Sequence, residues 1–125
     1  MNSSNSNSVL IVDDSATNLV LLEAILQEEG YRTYTAISAK EAFSIIEQSK
    51  PDIILLDLLM PQVSGFDVLE KLKSNLSTSE IPVVVVSAVN TKENIELCKD
   101  LGAADFFTKP IDIPVFLSKL KDFLL

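Results

Sequence analysis

The chain has 125 residues, 47% of them hydrophobic, which suits one domain with a buried core and excludes a disordered segment. It holds one cysteine, Cys98, and no histidine, so a disulfide framework, a cysteine-based zinc site and Ser-His-Asp or Cys-His catalysis are excluded. The formal charge of −8 disfavours nucleic acid and anionic membranes as partners.

Residues 1–7 read as a short flexible tail, rich in Asn and Ser, without the basic region or apolar core of a secretory signal. Met1 followed by such a tail is expected to be a natural N-terminus. Residues 8–125 read as a single domain. Val9–Val12 is an apolar, β-branched run expected to be a buried strand. A helical pattern follows, with Leu19, Leu22 and Leu26 on one face and Gly30 as its stop. Arg32–Ala36 is polar enough for an edge strand. Ser38-Ala39-Lys40-Glu41 matches a capping box and opens a helix that ends before Pro51. Ile53–Leu56 is again continuously apolar. Ser64-Gly65-Phe66-Asp67 starts a third helix, with Val68, Leu69 and Leu72 facing inward. Ile81–Val86 is the strongest strand signal. A fourth helix begins between Asn90 and Glu93, carries Ile95, Cys98 and Leu101 on one face, and closes at Gly102. Asp105–Thr108 is a short fifth strand. Asp112 caps a last helix in which Leu117, Leu120 and Leu124 repeat at helical spacing. No run is long enough to span a bilayer, and a cytoplasmic protein is expected.

Five alternating strand–helix units with apolar strands imply an α/β fold, a parallel sheet covered by helices on both faces. In such sheets ligands bind beyond the carboxyl ends of the strands. Asp13 and Asp14 follow the first strand, Asp57 the third, Ser87 the fourth and Lys109 the fifth. Carboxylates brought together repel by roughly 4 kcal/mol per pair at 4 Å and an effective dielectric near 20. A bound cation or a retained proton must offset this. An oxygen-only site without histidine or thiolate points to Mg²⁺, with Mn²⁺ as a substitute, rather than zinc. Together with the hydroxyl of Ser87 and the ammonium of Lys109, an aspartate nucleophile and a metal form a phosphoryl-transfer site. Singly, each residue has an ordinary reading. Asp13 or Asp14 could cap the first helix, Ser87 could be a turn serine, and Lys109 a solvated loop lysine. Asp57 has no helix to cap. Cys98 reads as a small core residue of the fourth helix.

The motifs are Val12-Asp13-Asp14, Asp57-Leu58-Leu59-Met60-Pro61-Gln62-Val63-Ser64-Gly65, Val86-Ser87-Ala88 and Thr108-Lys109-Pro110. In these the chain resembles the receiver domain of two-component response regulators, the CheY-like superfamily. The resemblance covers about Ser8 to Leu125. It implies a flavodoxin-like (βα)5 three-layer sandwich with strand order 2-1-3-4-5. It implies that Asp57 is the phosphoacceptor, served by a sensor histidine kinase or a histidine phosphotransfer protein. Asp14 and Asp57 would ligate Mg²⁺, with Asp13 helping through water and Leu59 offering its backbone carbonyl. Ser87 and Lys109 would hold phosphoryl oxygens, and Phe106 would be the switch aromatic, here without a hydroxyl. The Lys109–Pro110 peptide is one that the resemblance and proline chemistry both permit to be cis. Gly65 fits a tight approach to the third helix. Phosphorylation would remodel the surface of the fourth helix, fifth strand and fifth helix, where an output partner or a second copy of the chain would bind. Asn18 lies on the first helix near the presumed kinase-docking surface and reads as a capping or surface residue.

Leu59 and Val89 lie two residues beyond Asp57 and Ser87 and are apolar, so neither can orient water or act as a base. Self-dephosphorylation is therefore expected to be slow, and the chain is expected to be a switch rather than an enzyme. Two competing functions are a phosphorylation-independent binding module and a Mg²⁺-dependent phosphatase with an aspartyl nucleophile. The phosphatase usually needs a second Asp at the position of Leu59. The kinase, the output and the choice between a stand-alone receiver and part of a longer regulator stay open.

Overall fold

The computed structural model describes residues 7–60 and 62–124. Residues 1–6 of the expected tail, Pro61 and Leu125 lie outside them. Five strands and five helices alternate: β1 (Ser8–Val12), α1 (Ala16–Glu28), β2 (Arg32–Ala36), α2 (Ala39–Gln48), β3 (Ile53–Leu56), α3 (Gly65–Ser74), β4 (Val83–Ser87), α4 (Lys92–Asp100), β5 (Asp105–Thr108) and α5 (Ile113–Leu124). The strands form one sheet in the order β2-β1-β3-β4-β5, with all pairs parallel. This is the flavodoxin-like order expected from the resemblance. No helix among the described residues is long and apolar enough to cross a membrane.

Alternation along the strands splits the core in two. Leu10, Val12, Ile54, Leu56, Val83 and Val85 face α2, α3 and α4. Val9, Ile11, Ile53, Leu55, Val84 and Val86 face α1 and α5. Both faces are covered, which is why β1, β3 and β4 are apolar at nearly every position. The polar β2 sits at the edge of the sheet, as its composition predicts.

Helix starts follow local capping chemistry. Ser15, Ser38, Ser64 and Thr91 each accept a hydrogen bond from the backbone N–H three residues on. At α2 the capping box is modified, because Glu41 Oε1 accepts from the N–H of Ile37 rather than that of Ser38. Gly30 and Gly102, at φ 93° and 105°, end α1 and α4 in the left-handed region.

The start of β4 and the buried face of α5 differ from the sequence reading. The β4 ladder begins at Val83, because Pro82 has no N–H to give and contributes only its carbonyl, which accepts from Ile54. The α4 helix begins at Lys92, inside the expected range, and the Thr91 hydroxyl supplies its cap. On α5 the fully buried positions are Phe116 and Leu120, while Leu117 and Leu124 are half-buried flanks. The Phe116 ring meets Phe107 of β5 edge-on, at 5.2 Å between centroids.

Candidate functional site

Register brings the site together. Val12 lies opposite Leu56 in the β1–β3 ladder, so Asp13 and Asp57 leave the sheet side by side. Ser87 lies opposite Thr108, so Lys109 leaves beside Ser87. Backbone bonds carry the ladder past the strand ends. Asp57 N–H donates to Val12 O, Asp13 N–H to Ala36 O and Lys109 N–H to Ser87 O. The functional side chains thus stand on backbone that is itself hydrogen-bonded.

Carboxylate oxygens of Asp13, Asp14 and Asp57 lie within 4.8 Å of one another. Asp13 is 2% exposed and Asp57 7%, while Asp14 opens to solvent. Lys109 Nζ is 2.8 Å from Asp13 Oδ2 and 3.6 Å from Asp57 Oδ2. Asp13 Oδ1 also accepts from the Ser15 N–H at 2.9 Å, and Asp13 Oδ2 from Asn18 Nδ2 at 3.3 Å. Neither Asp13 nor Asp14 caps α1, a role that belongs to Ser15. Asp57 Oδ1 accepts from the Leu59 N–H at 3.3 Å.

Burial pushes the Asp57 carboxyl above the ordinary carboxylate range. The Lys109 ammonium opposes that shift, the Asp13 carboxylate adds to it, and hydrogen bonds from Leu59 N–H and Ser87 oppose it more weakly. Three carboxylates face one ammonium, and the buried Asp57 carries the consequence. An all-oxygen set with surplus negative charge fits a hard divalent cation.

The remaining sequence candidates surround this pocket. Ser87 is fully buried at the end of β4, and its Oγ accepts from the Val89 N–H at 3.2 Å. Leu59 turns its side chain outward and is 58% exposed. Val89 is half-exposed in the loop after β4. Phe106 is half-buried on the α4 side of β5, beside a cavity of about 260 Å³ that also touches Ile95, Cys98 and Thr108. The Lys109–Pro110 peptide is cis. Gly65 is buried where a Cβ would overlap the Asp57 carbonyl oxygen and the Leu58 Cα, so only glycine lets α3 begin this close to the acidic loop. Asn18 is the site neighbour that the sequence reading left on the surface. Its amide turns inward to Asp13, and a position four residues after Asp14 carries no signal of that orientation.

The sequence matches the family model described as response regulator receiver domain over residues 9–121. The chain belongs to the response regulator receiver family. Receivers of this family are signal transducers of two-component systems. The chain is 40% identical over 113 residues to the response regulator PleD of Caulobacter vibrioides, covering 90% of this chain and 25% of that protein. It therefore spans about a quarter of PleD's length. It is 34% identical over 117 residues to the polar-differentiation response regulator DivK of Brucella ovis, covering 94% of this chain and 95% of DivK. Among solved structures, the chemotaxis protein CheY4 of Vibrio cholerae superposes with a TM-score of 0.88 at 25% identity, covering 95% of this chain and 99% of that one.

Proposed function

We propose that residues 8–125 form a phosphorylation-activated receiver in which Asp57 accepts a phosphoryl group from a phosphohistidine. The observation that carries this reading is a 7% exposed Asp57 with a carboxylate oxygen 3.6 Å from the Lys109 ammonium, clustered within 4.8 Å with the carboxylates of Asp13 and Asp14. An Asp57 carboxylate oxygen attacks phosphorus, the P–N bond to the donor imidazole breaks, and the imidazole takes up a proton. Asp14 and Asp57 would hold Mg²⁺ directly, Asp13 through water and Leu59 by its carbonyl oxygen. When bound, Mg²⁺ neutralises charge on the phosphoryl oxygens. Lys109 and Ser87 hold the remaining phosphoryl oxygens.

The donor fits as a protein. Beside the site, α1 and the chain leading into α5 border a groove of about 470 Å³ lined by Leu21, Leu22, Ile25, Pro110, Ile111 and Ile113. Leu21 on its α1 wall is 57% exposed, and the neighbouring Val20 is 67% exposed. A largely apolar groove of this kind, lined also by Asn18 and Lys109, suits the helical surface of a histidine kinase or a phosphotransfer protein.

Output follows from the added charge. Ser87 and the following loop move toward the phosphoryl group, and Phe106 turns into the space that opens. The α4-β5-α5 surface then changes for an output partner or a second copy of the chain. The chain works as a switch whose own phosphorylation and dephosphorylation activities are weak.

The test is intact mass after incubation with acetyl phosphate, with and without Mg²⁺, for the wild type and Asp57→Asn. One phosphoryl adduct that requires both Mg²⁺ and Asp57 is the expected result. No adduct from acetyl phosphate or from a histidine-phosphorylated donor, with the protein folded, overturns it in favour of a phosphorylation-independent binding module.

A further inference from the structure

We infer that Asn18 is a positioning residue of the phosphoryl site, one that keeps the Asp13 carboxylate partnered when Lys109 leaves it. Asp13 Oδ2 accepts two hydrogen bonds, from Lys109 Nζ at 2.8 Å and from Asn18 Nδ2 at 3.3 Å. The other oxygen, Oδ1, accepts from the Ser15 N–H. At 2% exposure the carboxylate has little water to fall back on. The inference rests on the receiver reading in one respect, that Lys109 turns from Asp13 to a phosphoryl group on Asp57.

That turn takes the charged donor from Oδ2. A buried carboxylate oxygen stripped of its donor is costly, and the cost opposes the phosphorylated state. Asn18 already occupies the second position on the same oxygen. The residue is held there by the start of α1, where its own N–H donates to the Ser15 hydroxyl that caps the helix. The amide is suited to this task because it is a neutral donor. An aspartate at this position would repel Asp13, and an aliphatic side chain would leave Oδ2 to Lys109 alone. A lysine or arginine would bring a permanent second cation to the pocket and weaken its draw on a divalent ion.

The first test needs neither metal nor phosphorylation. Thermal unfolding in EDTA is compared for the wild type, Asn18→Leu, Lys109→Met and the double variant. With Lys109 present, Oδ2 keeps a donor after Asn18→Leu; without it, Asn18 is that oxygen's remaining side-chain donor. Asn18→Leu is therefore expected to lower Tm by at least ~3 °C more in the Lys109→Met background than in the wild type. Additive shifts overturn the inference. The second test follows phosphoryl uptake over a range of acetyl phosphate concentrations. Asn18→Leu is expected to cut the maximal rate roughly three- to tenfold, the net worth of one ordinary hydrogen bond. Its half-saturating concentration stays near that of the wild type, and Asn18→Gln recovers part of the rate. A wild type that accepts phosphoryl groups while Asn18→Leu matches its rate overturns the inference and leaves the receiver reading intact. A wild type that accepts none from any donor overturns the receiver reading itself.

Discussion

Lys109 reaches two buried carboxylates but rests on Asp13, at 2.8 Å, rather than on Asp57, at 3.6 Å. The cation is thus stored against the carboxylate that does not react, next to the one that does. Removing it leaves the acidic pocket without its ammonium. Lys109→Met is expected to destabilise the metal-free protein by about 2 kcal/mol, below the usual cost of breaking a buried pair because water reaches Lys109. Millimolar Mg²⁺ should then recover more stability in Lys109→Met than in the wild type, since a ligand that binds the folded state stabilises it by mass action. Urea unfolding with EDTA or Mg²⁺ checks both expectations.

Asp57 gives the fold a pH dependence of definite sign. Burial holds its folded carboxyl above the ordinary value of 3.8. Below that value both folded and unfolded chains carry the proton, and Asp57 contributes no difference. As pH rises, the unfolded chain ionises first and stability falls until the folded carboxyl has ionised too. Above that point the loss is complete and constant. Asp57→Asn cannot ionise, so it should be more stable than the wild type at neutral pH without metal. The advantage should shrink as pH falls toward 4, which urea midpoints between pH 4 and 8 in EDTA would measure.

Much of this architecture was legible because the strands announce themselves. Val9–Val12, Ile53–Leu56 and the valines of β4 are apolar at every step since helices cover both sheet faces. The residues following them then converge once the parallel order is granted. Side-chain choices within the pocket were not legible. Whether Lys109 sits on Asp13 or Asp57 depends on differences below 1 Å, and the inward turn of Asn18 rests on a side-chain contact to Asp13 that sequence spacing does not reveal. Phe116 was passed over because leucines three and four residues apart dominate the α5 pattern. It is fully buried in the core between the sheet, α1 and α5, and meets Phe107 edge-on.

Gly65 ties the fold to the site. Its N–H donates to Leu58 O, and a Cβ there would collide with backbone atoms of Asp57 and Leu58, which cannot rotate away as a side chain could. Gly65→Ala is expected to cost about 3 kcal/mol, at the upper end for overpacking. Because the collision falls on the Asp57 backbone itself, phosphoryl uptake should fall along with stability. By contrast, Gly102→Ala meets only the flexible Lys73 side chain and the penalty of a positive φ, and should leave uptake unchanged. Urea unfolding and intact mass on the two variants separate the effects.

Leu59 and Val89 bear on how long a phosphoryl group would last. Leu59 is 58% exposed and Val89 half-exposed, so both can be changed with little cost to the core. Neither side chain can hydrogen-bond a water molecule or accept its proton. Hydrolysis of the aspartyl phosphate would then depend on water that the protein does not orient. Placing an amide and a carboxylate there, as Leu59→Asn with Val89→Glu, supplies a donor near the phosphoryl group and a base for the attacking water. The double variant is expected to lose its phosphoryl group roughly tenfold faster than the wild type or more, a modest share of what positioned acid–base groups contribute. Decay of the phosphorylated mass after rapid removal of the donor gives the rate. An unchanged rate would mean that access to Asp57, rather than the chemistry of these two side chains, sets the lifetime.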